Sequence, residues 1–150
     1  MESRIQVYLP VDKVMNLFAY GTLMDPDIMS HVSGQNYHPT EATLTGYRRR
    51  RIDGEMFPGI TPDDSEVIPG ILYRNITPTS AHRLDLFEGE LYLRQTIQIT
   101  LRDGLVLPAD GYIVKTEYRH RLSHENWTMQ WFLLHGKTHF QRGYEGFKRV

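Results

Sequence analysis

The segment RLDLFEGELYLRQTIQI, residues 83–99, changes character at its middle glycine. Leu84 and Phe87, with Ala81 just upstream, recur at the spacing of one helical face. Thr77-Pro78 supplies a helix start and Gly89 a stop. Beyond Gly89 the chain turns to β-branched residues, and residues 93–101 read as a strand. A helix that hands over so abruptly to a strand predicts a mixed α+β architecture.

The same segment gathers acids against apolar side chains. Asp85, Glu88 and Glu90 stand among Leu84, Leu86, Phe87 and Leu91. A carboxylate held against such neighbours loses hydration, its pKa rises, and it becomes able to exchange protons near neutrality. The competing reading is solvated acids, or acids paired with Arg83 and Arg94. Spacing alone leaves both open.

Working outward, further short stretches rich in β-branched and aromatic residues, bounded by Gly, Pro, Asn and Asp, predict strands at residues 15–20, 42–52, 67–76 and 111–114. Partial alternation around Gly46 predicts a bulge. DPDIMSHVSG predicts one short helix after Pro26. In SHENWTMQWFLLHGKTHF, Trp127, Trp131, Leu134 and Thr138 predict an amphipathic C-terminal helix over residues 123–142 behind a Ser123 cap. PDDSEVIPG reads as a turn-rich connection, and MFPGI as a turn or as the aromatic wall of a pocket. There is no internal repeat or long linker. The expectation is one domain of 150 residues with an extension at 1–14, built as a small closed or half-closed sheet with helices outside it.

A formal charge of −1 offers no global field for nucleic acid or an anionic membrane. The chain has no cysteine, so disulfides, thiolate nucleophiles and cysteine metal sites are excluded, which suits a cytoplasmic protein. The N-terminus carries Glu2, Arg4, Asp12 and Lys13 and resembles neither a signal peptide nor a membrane span. Arg48, Arg49, Arg50 and Arg51 form a basic run, but a strand sends alternate residues to opposite faces, so a solvated strand edge is expected rather than a nucleic-acid site. His120/His124 and His135/His139 have i,i+4 spacing without the adjacent Glu of a zinc protease, so no metal site is expected. No Gly-x-Ser-x-Gly elbow, phosphate loop or dinucleotide fingerprint occurs.

FAYGTLM, GYRRR, FPGI, IPGILYRN and LDLFEGELYLR, in that order, resemble the gamma-glutamylcyclotransferase-like family, which includes the AIG2-like proteins. The likeness runs from about Asn16 to Val114. It implies a small mixed β-barrel with flanking helices and a cofactor-independent, metal-free enzyme that cyclises a gamma-glutamyl group, releasing 5-oxoproline and an amine or amino acid. Carried over residue by residue, Glu88 is the expected acid/base, with Glu90 as its rival. Tyr20, Gly21, Thr22 and Leu23 form the expected substrate loop, and Tyr92 a further pocket residue. The alternative is a domain that keeps the pocket and binds a small ligand or partner without turnover. Specificity and oligomeric state stay open.

Overall fold

A computed structural model describes residues 13–138. Its centre is a mixed sheet of β1 (Met15–Ala19), β2 (Pro39–Ile52), β3 (Pro58–Ile76), β4 (Tyr92–Leu101), β5 (Val106–Val114) and β6 (Leu122–Asn126). The strands lie in the order β3-β1-β5-β4-β2-β6, and a further pairing of β2 with β3 closes the first five into a barrel. All contacts are antiparallel except β1 with β5, where Leu17 sits opposite Asp110. β6 is the extra strand, added to the far end of β2.

Alternation along β1 separates two cores. Phe18 and Tyr20 join Leu44, Ile60, Leu72, Ile97 and Ile113, a cluster drawn only from the barrel strands and the residue that leaves β1; this is the barrel interior. Leu17 and Ala19 join a second cluster with Ile28, Leu84, Trp127 and Phe132, where helices cover the barrel's outside. Those helices are α1 (Pro26–Ser33), α2 (Pro78–Glu88) and α3 (Met129–His135). Asp25 caps α1 by accepting from the Asp27 and Ile28 amides, and Thr77 caps α2 by accepting from the Ser80 amide. Leu84 and Ala81 are buried and Phe87 half-buried, as the helical spacing predicts.

Several expectations need correction. PDDSEVIPG is no connection between elements: it lies inside β3, which starts at Pro58 rather than at 67. Gly46, at φ +92°, bulges between Thr45 and Tyr47, and the facing strand accommodates it by carrying residues 63–66 outward as a turn-like excursion. The turn chemistry was real, since Asp63 accepts from both the amide and the hydroxyl of Ser65, but it deforms a strand instead of ending one.

The C-terminal helix starts later than expected, at Met129. Residues 122–126 extend to pair with β2, Thr128 rather than Ser123 caps the helix, and Trp127 precedes it as a core residue. Leu134 is 69% exposed, so it is not part of a buried stripe. Residues 139–142 and His139 lie outside the described residues, as does most of the 1–14 extension. His120 falls in a 3₁₀ turn and His124 in β6, so they share no helical face.

The arginine run is not a solvated edge, because β2 is paired there with both β3 and β6. Alternation still holds. Arg49 and Arg51 stack on Trp127 and Trp131, with guanidinium carbons 5.2 and 4.1 Å from the ring centroids. Arg48 and Arg50 pair instead with Asp63 and Glu66. No helix among the described residues is long and apolar enough to cross a membrane.

Candidate functional site

The chain leaves β1 at Tyr20 and turns through Gly21 into a single 3₁₀ turn, Thr22–Met24. The Met24 amide donates to the Gly21 carbonyl and the Asp25 amide to the Thr22 carbonyl. Thr22 and Leu23 are buried, which explains why this loop is less polar than a hairpin turn. Its carbonyls are held from outside. Tyr73 donates its hydroxyl to Leu23 O at 2.7 Å, and Arg49 donates Nη1 to Tyr20 O at 2.8 Å.

Facing this loop are Phe57 just before β3 and Pro58 at its start, Tyr92 at the start of β4, and Glu88, the last residue of α2. Together they line a cleft at the mouth of the barrel. It encloses about 330 Å³ with its opening to solvent included, of which only about 30 Å³ is free for the centre of a water molecule. Glu88 reaches it because α2 stops there: Gly89, at φ +74° and ψ −158°, takes a positive-φ conformation that a side chain would disfavour, and its amide closes on the Asp85 carbonyl.

Glu88 as a residue is half-buried, but its carboxyl group faces this largely apolar cleft. Burial, and after it the negative charge of Asp85, raises its pKa from 4.5 to about 8. Among the described residues no ion pair or hydrogen bond holds that carboxyl. Glu90 has a different fate: its side chain is 90% exposed and meets Lys115 at 3.5 Å, outside the cleft. The competing reading of solvated or paired acids therefore describes Glu90 and Asp85, since Asp85 is bound to Arg94.

The tyrosines of the cleft are committed to the framework. Tyr92 donates to Pro58 O at 2.6 Å, and its ring stands 6.5 Å from that of Phe57. Tyr20 points into the barrel and donates to Tyr112 O at 2.6 Å. Burial, and then the nearby Glu88, raises the pKa of Tyr20; burial, then Tyr20 and Glu88, raises that of Tyr92. Both stay neutral hydroxyls that shape the cleft.

The structure thus brings Tyr20, Gly21, Thr22, Leu23, Glu88 and Tyr92 around one cleft and leaves out Glu90 and Arg94. Sequence reasoning missed Leu17, Phe18 and Ala19 as lining, and it left MFPGI undecided; Phe57 and Pro58 provide the aromatic wall. It also missed Arg49 and Tyr73, whose signals are long-range hydrogen bonds that no local pattern announces.

A carboxyl group without a partner among the described residues, set in a largely apolar cleft at the mouth of a closed mixed barrel, is the kind of concave setting in which small-molecule sites are built. The family model for gamma-glutamyl cyclotransferase, AIG2-like, matches residues 17–129, and the chain belongs to that family. AIG2-like protein A of Arabidopsis thaliana is 32% identical over 89 residues, a match spanning 59% of this chain and 54% of that one. AIG2-like protein C of the same plant is 29% identical over 126 residues, 83% of this chain and 73% of the relative. The aligned region is thus about half the length of the first relative and about three quarters of the second. A solved structure titled gamma-glutamyl cyclotransferase superposes with a TM-score of 0.60 over 69% of this chain and 68% of its own, at 13% identity; this likeness bears on the fold.

Proposed function

We propose that the protein cyclises a gamma-glutamyl group to 5-oxoproline and releases the attached amine or amino acid, with Glu88 as acid/base. One observation carries the reading: the carboxyl of Glu88, free of partners among the described residues and with its pKa raised to about 8, shares a cleft with the loop Tyr20, Gly21, Thr22 and Leu23. Membership of the gamma-glutamyl cyclotransferase, AIG2-like family supports it.

The chemistry asks for one mobile proton. The neutral α-amine of the substrate attacks the gamma-carbonyl carbon with its lone pair to close a five-membered ring, and the ring nitrogen gives its surplus proton to Glu88. The exocyclic C–N bond then breaks, and the proton held by Glu88 passes to the departing nitrogen, so the carboxylate is restored. Nucleophile and carbonyl belong to one molecule, so the protein's main task is to hold the folded conformer, an effect worth roughly 7–11 kcal/mol when alignment is good. In this reading the loop amides receive the substrate carboxylate or the developing oxyanion. The substrate is a small gamma-glutamyl compound, and the reaction needs no metal or organic cofactor.

One observation favours a second reading. Only about 30 Å³ of the cleft is free for the centre of a water molecule, so a glutamyl group needs the cleft's side chains to move. A domain that binds a smaller ligand or a partner without turnover would not. The test is a screen of gamma-glutamyl amino acids, gamma-glutamyl amines and gamma-glutamyl-lysine for 5-oxoproline release. Release from any of them, abolished in Glu88→Gln, supports the enzyme; tight binding of one with no release from any supports the binding domain.

A further inference from the structure

Asp85 and Glu88 stand three residues apart on α2, hence on one face of the helix, yet their surroundings are opposite. Asp85 is gripped by a planar fork: Arg94 Nε donates to Oδ1 at 2.9 Å and Nη2 to Oδ2 at 3.3 Å. Tyr112 adds its hydroxyl to Oδ1 at 2.7 Å. The remaining arm of Arg94, Nη1, donates to Asp110 Oδ2 at 2.8 Å, and Thr96 donates its hydroxyl to the other oxygen of Asp110 at 3.1 Å. The last turn of α2 is thereby tied to β4 and β5. Tyr112 also bridges the two halves of the cleft, because its carbonyl accepts from Tyr20 while its side chain holds Asp85.

We propose that Asp85, gripped by Arg94 and Tyr112, is a positioning residue that fixes the end of α2 and sets the charge that Glu88 experiences. The proposal rests on the reading of Glu88 as the acid/base. The groups facing Glu88 are Asp85 from its own helix, Tyr20 after β1, Tyr92 from β4 and Tyr112 from β5. The nearby cations act through those groups, Arg94 on Asp85, Arg49 on Tyr20 and Arg121 on Tyr92, where Glu55 opposes it. Burial raises the pKa of all three tyrosines, so they stay neutral and Asp85 is the facing anion. Arg94 holds the local balance: without it, the charge of Asp85 would act on Glu88 unneutralised.

Opposite responses follow from opposite charge changes. Asp85→Asn removes the anion and keeps an acceptor for Tyr112, so Glu88 should titrate at lower pH. Arg94→Met removes the cation and should move that titration to higher pH, while Arg94→Lys, which keeps the charge and loses the fork, should restore it toward wild type. The readout is the carbon-13 NMR titration of the Glu88 carboxyl in the full chain, which needs no turnover. Failure of the cyclisation reading would therefore appear separately, as absence of 5-oxoproline. With an active substrate, the acid limb of kcat/KM should move with the NMR midpoint. An unmoved midpoint in Asp85→Asn overturns the proposal, and so do midpoints of Asp85→Asn and Arg94→Met that move the same way. If Arg94→Met fails to fold, the Asp85→Asn titration decides alone.

Discussion

Gly21 lies so close to Pro58 that an ideal Cβ on it would stand 2.9 Å from both Cγ and Cδ of the ring. The φ of Gly21 is −126°, outside the left-handed region, and it is this crowding that calls for glycine here. The ring has little freedom to retreat, because Pro58 opens β3 and its carbonyl receives the Tyr92 hydroxyl. The loop and the wall of the cleft are thus set against each other by one contact.

Gly21→Ala should therefore act as an overpacking change, costing about 1–3 kcal/mol. Urea denaturation checks it: the midpoint should fall with little change in slope. A variant as stable as wild type would mean that Pro58 yields freely.

Tyr73→Phe tests the anchor on the other side of the loop. Tyr73 is fully buried, and its hydroxyl serves Leu23 O at 2.7 Å. Deleting it leaves a buried carbonyl without its donor, a loss of about 1–3 kcal/mol. Thermal unfolding should show it, and a substrate that uses the loop should show a raised KM.

Within the arginine run the four residues should respond unequally. Arg49 donates to Tyr20 O and Pro69 O and lies over Trp127. Burial lowers its pKa to about 10. Arg49→Met should cost about 1–3 kcal/mol by stranding the Tyr20 carbonyl. Arg48 has a side chain 42% exposed and meets Asp63 at 3.9 Å, so Arg48→Met should stay within about 0.5 kcal/mol. Paired denaturation curves for the two variants make the comparison, and equal losses would contradict it.

The raised pKa of Glu88 has a signed consequence for stability. From pH 4.5, its ordinary value, to about 8, the folded chain holds a proton that the unfolded chain has released. Stability associated with Glu88 is then fully present below 4.5 and is lost as the pH rises through 8, on the order of a few kcal/mol. Glu88→Gln cannot release that proton, so it should become progressively more stable than wild type across this window. Denaturation midpoints of the two proteins at pH 5, 7 and 9 measure it; parallel curves would show that the carboxyl is not desolvated.

What the sequence disclosed and what it hid follow a physical division. The α2 helix, its glycine stop, the β4 strand and the Gly46 bulge are local, so periodicity and turn chemistry revealed them. The length of β3 was hidden because its excursion at residues 63–66 is stabilised by pairing with β2 on either side. Residues 122–126 likewise become a strand only because β2 offers them an edge. For the site, family resemblance placed Glu88 and the Tyr-Gly-Thr-Leu loop, while spacing alone could not separate Glu88 from Glu90. What separates them is burial, since Gly89, at positive φ, ends the helix with Glu88 in the cleft and Glu90 beyond it.

The central claim is that Glu88 moves the proton in cyclisation. Its most direct measurement is the rate of 5-oxoproline release from the best-accepted gamma-glutamyl compound by wild type, Glu88→Gln and Glu90→Gln, each confirmed folded by circular dichroism. Removing the acid/base should lower kcat by about 10²–10⁴-fold in Glu88→Gln, while Glu90→Gln stays near wild type. A folded Glu88→Gln protein that releases 5-oxoproline at the wild-type rate would contradict the account.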